Sequence, residues 1–380
     1  MALKAIVDTS LREGWQWSYI NNISIKDQIR IALGLDDFGI DYIEVGNPSV
    51  RGIRLGIQEI AKLGLKNAKI VSHIRARKED IEEAAKLDID GINTYFGTSP
   101  YSQKVHGKSI GQVTELVIEA LDFAGNIKPD WEIRFSEEDA SRTPILQSIR
   151  LYRKILPYVD RIGFPDTTGR MGPLGVYIRC VIYHLLGKDL EFHGHNDLGN
   201  ADDNAFNAIR GGATHISTTI NGVGERNGIT SLQGLIAEMI IGGKGDSLEK
   251  YELRIIDHLE HLGNEVYNMR YEGPLSDAAF SHKAGIHTRA IILGESNIYE
   301  ILKPEDFGKK RRLHYSSVLV SKAVIAAIAE GLGVNLKKPQ IYEIVNEIKK
   351  CEKDFSPEDV GNMILAYRTN TQNKKNLINN

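Results

Sequence analysis

Eight short runs of β-branched and aromatic residues recur along the first 222 positions, about 20 to 40 residues apart, with amphipathic stretches in the gaps. They read KAIVDTS (4–10), YIEVG (42–46), KIVSHIR (69–75), GINTYFG (91–97), EIRFSEED (132–139), RIGFPDT (161–167), LEFHGHND (190–197) and HISTTING (215–222). Runs of this kind predict strands, and the spacers predict helices. SIKDQIRIALGLDDFG opens on Ser24, a good N-cap, and closes on Gly39. RKEDIEEAAKLDID carries Ile81, Ala84 and Ala85 at helical spacing. Strand–helix alternation predicts parallel βαβ units, and eight of them predict an α/β chain closed into a (β/α)8 (TIM) barrel. A doubly wound open sheet is the alternative. It fits less well, because LREGWQW rather than a GxGxxG follows the first run.

Nearly every run ends in polar side chains: Asp8, Glu44, His73, Asn93, Arg134 and Ser136, Asp166 and Thr167, His193 and His195, Thr218. In a barrel those C-terminal ends converge on one mouth, where active sites sit. Polar loops account for the Asn and Thr residues. They account poorly for Arg134 and three histidines.

After about residue 240 the strand rhythm stops. SLEKYELRIIDHLEHLGNEVYNM predicts one long helix, an irregular Gly-containing segment follows, and the pattern from 316 to 368 is helical again. The expected organisation is a barrel over 1–270, a linker or lid over 271–310, and an α-rich subdomain over 311–380 with a frayed polar tail. A net charge of -3 gives no electrostatic reason to expect nucleic acid or an anionic membrane as partner. No window approaches the roughly 18 apolar residues of a membrane span. Cys180 and Cys351 form no CxxC, and the start has no signal-peptide core, so a cytoplasmic location is expected.

His193 and His195 stand two apart in a run that reads as strand, so both imidazoles share a face. Neutral imidazoles placed this way can share a divalent ion, at about 2.0–2.1 Å for zinc. Two histidines falling together by chance is the competing explanation. A third ligand has to come from another strand end, and DTSLREG offers Asp8 and Glu13. Arg134 can serve as a bidentate carboxylate fork, or as a structural salt bridge to Glu132 or Glu137. On their own, His287 would be a surface histidine and Tyr299 a helix-face aromatic.

Taken together, DTSLREG, HGHNDLGN, NGVGERNGIT and AFSHKAGIHTRA resemble the acyl-CoA-condensing barrel enzymes: isopropylmalate, citramalate and homocitrate synthases, related to HMG-CoA lyase. KIVSHIRARKED, GTSPYSQKVHGKS, EIRFSEEDASRT and YEILKPEDFG resemble the homocitrate synthases in particular. The resemblance covers about residues 4 to 310. It implies a divalent metal (Mg2+, Mn2+ or Zn2+) on Glu13, His193 and His195, and acetyl-CoA as co-substrate. Arg12 would polarise the ketone of a 2-oxo acid. His73, Arg134, Ser136 and Thr167 would bind that acid with Arg12, as homocitrate synthases bind 2-oxoglutarate. Glu138, His287 and Tyr299 would form the acid/base group around the acetyl methyl, with His282 ranked below His287. The family also implies a homodimer in which 271–310 covers the partner's barrel. The substrates are small molecules.

Departures from the family pattern surround the mouth. They are Trp15 and Trp17 in the first loop, EVGNP after the second run, Asn93 where lysine-inhibited members carry Asp, Asp202 and Asp203, and NGVG before ERNG. The two indoles beside the metal loop are expected to narrow or cover the mouth, and Asn93 argues against lysine feedback. Oxaloacetate, as in a Re-type citrate synthase, or phosphonopyruvate stands as an alternative to 2-oxoglutarate. An HMG-CoA lyase-type reaction would need a cysteine in a glycine-rich loop, and neither cysteine lies in one. A non-catalytic metabolite-binding barrel would not need the metal and base residues.

Overall fold

The eight runs form eight parallel strands: β1 Ala5–Asp8, β2 Tyr42–Val45, β3 Lys69–Arg75, β4 Gly91–Gly97, β5 Glu132–Glu138, β6 Arg161–Asp166, β7 Asp189–Gly194 and β8 His215–Thr218. In this computed structural model, which describes residues 3–316, 320–351 and 354–378, they close in sequence order into one barrel. The last seam pairs Ala5 with His215 and Asp8 with Thr218. Helices between the strands complete the (β/α)8 pattern. The chain divides into two compact units, one ending at Pro274 and one beginning at Leu275.

Period-two alternation sorts the strand residues. One set is apolar and buried: Ile6, Ile43, Val71's neighbours Ile70 and Ile74, Phe135, Phe164 and Phe192. Phe164 packs against Phe192 and against Tyr183 of the helix Pro173–His184, so this set faces the helices. The other set points inward and is largely ionic. Arg134 pairs with Glu44 and Glu191, and Arg161 pairs with Glu191 and Glu132. A small apolar cluster of Ala5, Val7, Tyr42 and Val71 completes the core on this side.

The helix Ile25–Phe38 obeys its sequence signals: Ser24 Oγ accepts from the Asp27 amide, and Gly39 closes it at φ 86°. The single long helix expected after residue 246 is broken. Turns at Gly245–Leu248 and Leu253–Ile255 precede a helix limited to Ile256–Val266. The cause is docking. Tyr251 stacks on Phe38 with ring centroids 5.1 Å apart and donates to Asp41, and the Glu252 amide donates to the Phe38 carbonyl.

In the second unit, Ser281–His282 runs parallel to Arg312–Leu313, and Tyr315–Ser316 antiparallel to Asp354–Phe355. Helices Lys322–Gly331, Lys338–Lys350 and Pro357–Ile378 build a core that includes Val324, Ile325, Ile344, Val345, Ile348, Val360 and Ile364. Among the described residues no helix is long and apolar enough to cross a membrane.

Candidate active site

Glu13 ends a one-turn helix, Ser10–Glu13, just past β1, while His193 lies near the end of β7 and His195 one residue past it, bridged to Ile229. The parallel barrel brings these strand ends together: donor atoms of all three lie within 4.8 Å of one another. Asp8, the carboxylate that ends β1, is outside the group. Glu13 Oε1 is 3.5 Å from His193 Nε2, and the imidazole centroids are 5.2 Å apart. Glu13 Oε2 accepts from the Glu225 amide at 3.1 Å, so the loop after β8 aims the carboxylate. A side chain at Gly224 would stand 2.9 Å from that oxygen, which explains the glycine.

Electrostatics suit a cation. Burial, with the nearby Arg12 charge, lowers His193 to about 4, and burial lowers His195 too, so both imidazoles are neutral donors. Burial would raise Glu13, but Arg12 and the histidines hold it well below the usual carboxylate range. Nδ1 of each histidine is buried without a hydrogen-bond partner among the described residues. One carboxylate and two neutral imidazoles, all buried, are a donor set that fits a divalent ion.

Glu44 of β2, fully buried, gathers the next layer. Oε1 accepts from Arg12 Nε at 2.7 Å and from Thr9 Oγ1 at 3.0 Å. Oε2 accepts from Asn93 and lies 3.3 Å from Arg134 Nη2 and 3.6 Å from His73 Nδ1. Arg12 also reaches Glu13 Oε1 at 2.6 Å. His73 stacks on Tyr95 with centroids 4.6 Å apart, and burial with Arg12 lowers it to about 4. Burial with the like charges of Arg161 and Arg12 lowers Arg134 to about 9. Its ion pairs run to Glu44 and Glu191, not to the Glu132 or Glu137 that the sequence suggested. Ser136 Oγ donates to Asn93 Oδ1 at 3.2 Å, and Thr167 Oγ1 accepts from the Asp139 amide at 2.9 Å. Burial, with Asp139 beside it, raises Glu138.

Arg12, Glu13, His73, Arg134, Ser136, Glu138, Thr167, His193 and His195 all line one cavity of about 260 Å³. Gln16, Tyr95, Glu225 and Arg226 line it as well and were missed by sequence reasoning. The signal for the last two was present in GERNG. Neither indole lines this cavity. Gln16, between them, does, while Trp17 donates to the Tyr267 carbonyl at 3.1 Å and faces a neighbouring hollow. The expectation that the tryptophans narrow the mouth is corrected accordingly.

His287 and Tyr299 belong to the second unit, where their rings stack with centroids 3.7 Å apart. His282 is buried and bonded through Nε2 to Glu300 at 2.9 Å, and Arg311 clamps Glu300. Cys180 is buried in the helix Pro173–His184, its thiol pushed far up by desolvation.

Residues 4–259 match the HMGL-like family model, and residues 275–355 match the homocitrate synthase post-HMGL domain-like model. The cytosolic homocitrate synthase isozyme of Saccharomyces cerevisiae is 37% identical over 371 residues, covering 95% of this chain and 86% of the relative. The homocitrate synthase of Pyrococcus horikoshii is 34% identical, covering 92% and 96%. The structure of hydroxymethylglutaryl-CoA lyase from Pseudomonas aeruginosa superimposes with a TM-score of 0.59 at 17% identity, covering 71% and 95%, a likeness of fold. With a closed barrel, a buried Glu–His–His triangle at its mouth and both models matched in order, the chain belongs to the HMGL-like family and carries the second domain typical of its homocitrate synthases.

Proposed function

We propose that the chain condenses acetyl-CoA with a 2-oxo dicarboxylic acid, 2-oxoglutarate giving homocitrate, and releases CoA. The observation that carries this reading is one cavity holding the Glu13–His193–His195 triangle beside Arg12 and Arg134. The homocitrate synthase relatives support the choice of acid. A divalent ion (Mg2+, Mn2+ or Zn2+) on the triangle would supply Lewis-acid polarisation of the acid's carboxylate and ketone oxygens.

Arg12, fixed by Glu13 and Glu44, would stabilise the negative charge that grows on the ketone oxygen as it becomes an alkoxide. His73, Arg134, Ser136 and Thr167 orient the carboxylates of the acid. The acetyl methyl is a weak carbon acid, so a positioned base has to take its proton. Glu138, His287 and Tyr299 are assigned to that transfer, with segment 271–310 reaching the cavity of a partner copy in a cytoplasmic homodimer. The methyl carbon then bonds to the ketone carbon, the alkoxide takes up a proton, and water cleaves the thioester to release CoA thiol.

The test supplies acetyl-CoA, Mg2+ or Mn2+ and a panel of 2-oxo acids, following free thiol and identifying the product. Thiol release with 2-oxoglutarate and formation of homocitrate are expected. A second reading keeps the chemistry and takes the shorter oxaloacetate. It is favoured by Arg134, whose charge already faces two carboxylates and leaves less for a distant one. No thiol release with any acid would sink both readings.

A further inference from the structure

Tyr95 lines the cavity that holds the Glu–His–His triangle, and the proposed reaction gives it no role. It lies on β4 two residues after Asn93, so both side chains share the inner face. Register sets it level with Arg75 of β3 and Ser136 of β5. In the closed barrel β4 stands across from β8, and β1 and β7, past whose ends the triangle sits, flank β8. An acid anchored at the triangle by its α-carboxylate and ketone oxygen has the wall of β3, β4 and β5 in front of its far end.

Much of that wall is already engaged. Arg134 turns Nη1 to Glu191 and Nη2 to Glu44, and Ser136 Oγ donates to Asn93 Oδ1 at 3.2 Å. Asn93 Nδ2 can only donate, and it lies 2.7 Å from His73 Nδ1, so the imidazole proton sits on Nε2. Tyr95 differs. Its ring is held by the stack on His73, with centroids 4.6 Å apart and planes 10° from parallel. Its hydroxyl has no hydrogen-bond partner among the described residues. Burial, and then the nearby Glu138 carboxylate, raise the phenol above its ordinary value, so the oxygen keeps its proton. A free O–H on a ring already fixed in place is a preorganised donor.

We infer that the Tyr95 hydroxyl donates to the far carboxylate of the 2-oxo acid, beside the Nε2–H of His73, and so sets the preference for dicarboxylic over monocarboxylic acids. A carboxylate met by neutral donors does not need the whole charge of Arg134, which is shared between two glutamates. A site built to hydrogen-bond a group rejects analogues that lack it, because its donors are then left unpaired. The inference deepens the proposed condensation and rests on it for the anchoring of the acid's other end.

The test compares the parent with Tyr95→Phe, which keeps the ring and its stack and removes only the O–H, so an unchanged melting profile is expected. Binding is read by titration calorimetry on the Mn2+-loaded full chain, without acetyl-CoA, for 2-oxoglutarate and oxaloacetate and for 2-oxobutyrate, which has no far carboxylate. The dicarboxylate that the parent binds more tightly should lose about 10-fold or more in affinity, and 2-oxobutyrate should lose nothing. In turnover the same loss should appear in KM and not in kcat. Equal losses for all three acids would make Tyr95 merely structural, and an unchanged dicarboxylate affinity would give the far carboxylate to other donors. Either result overturns the inference, as does a parent that binds 2-oxobutyrate as tightly as the dicarboxylates. Because binding is read without acetyl-CoA, a chain that releases no thiol would sink the condensation and leave this measurement intact.

Discussion

At the scale of single residues, Glu13 and Glu44 divide the labour. Glu13 supplies the carboxylate of the triangle. Glu13→Gln keeps its size and removes the charge, so the variant is expected to bind Mn2+ at least about 100-fold more weakly. Titration calorimetry on the metal-free protein reads this directly, and full stoichiometry at parental affinity would refute the assignment. Glu44 does not itself line the cavity, yet it is the shared acceptor for Arg12, Arg134 and Asn93. Glu44→Ala leaves two buried guanidinium groups short of a counter-charge and is expected to cost about 3–5 kcal/mol in urea unfolding. How far the site was legible also divides at this scale. His193 and His195 were readable because HxH on a strand has a meaning that period two preserves, whereas the first loop offered both Asp8 and Glu13 and the family resemblance chose Glu13. The partners of Arg134 were not, since Glu44 and Glu191 sit 90 and 57 residues away and only closure of the barrel brings them near.

At the scale of elements, the eight strands were legible from their composition and rhythm, and the Ser24 cap and Gly39 stop from their side chains. The helix broken between Leu248 and Ile256 was not, because the break depends on Tyr251 finding Phe38 and Asp41 on another element. The tryptophan loop failed for a similar reason. Trp17 finds its hydrogen-bond acceptor at Tyr267, 250 residues on, and so turns away from the mouth. Strand β4 begins where Gly91 presses on its neighbour: a Cβ there would lie 2.2 Å from the Glu132 carbonyl oxygen, a backbone atom that cannot swing aside. Gly91→Ala is therefore expected to destabilise the barrel by about 1–3 kcal/mol. A melting temperature within a degree of the parent would show that the β4–β5 seam is looser than it looks.

At the scale of the whole molecule, stability should depend on pH through Glu137, which faces the helices rather than the cavity. Burial raises its carboxyl to about 7 against the opposing pull of hydrogen bonds from Ser148, Thr98 and Tyr183. The folded chain keeps this proton up to about pH 7, whereas the unfolded chain releases it near its ordinary value of 4.5. Between those values the folded state binds more protons, so this contribution is complete below pH 4.5 and is lost as pH rises through 7. Comparing thermal unfolding of the parent and Glu137→Gln from pH 5 to 8 isolates the effect: the parent should lose stability relative to the variant as pH rises. Parallel curves would mean the carboxyl is ionised throughout.

The ionic column inside the barrel has a consequence for redesign. Its lower half, Arg161 with Glu132, lines a hollow at the strand starts rather than the cavity with the Glu–His–His triangle. The hydrophobic adhesion of the barrel resides in the outward residues that meet the helices, so the interior is free to change its chemistry. Replacing a buried ion pair by apolar groups of similar volume is often neutral or stabilising. The floor of this barrel is thus a place to harden the scaffold only as a set: Arg161 also pairs with Glu191, the partner of Arg134, so exchanging Arg161 and Glu132 alone for hydrocarbon would leave Glu191 with one counter-charge and shift the balance at the mouth.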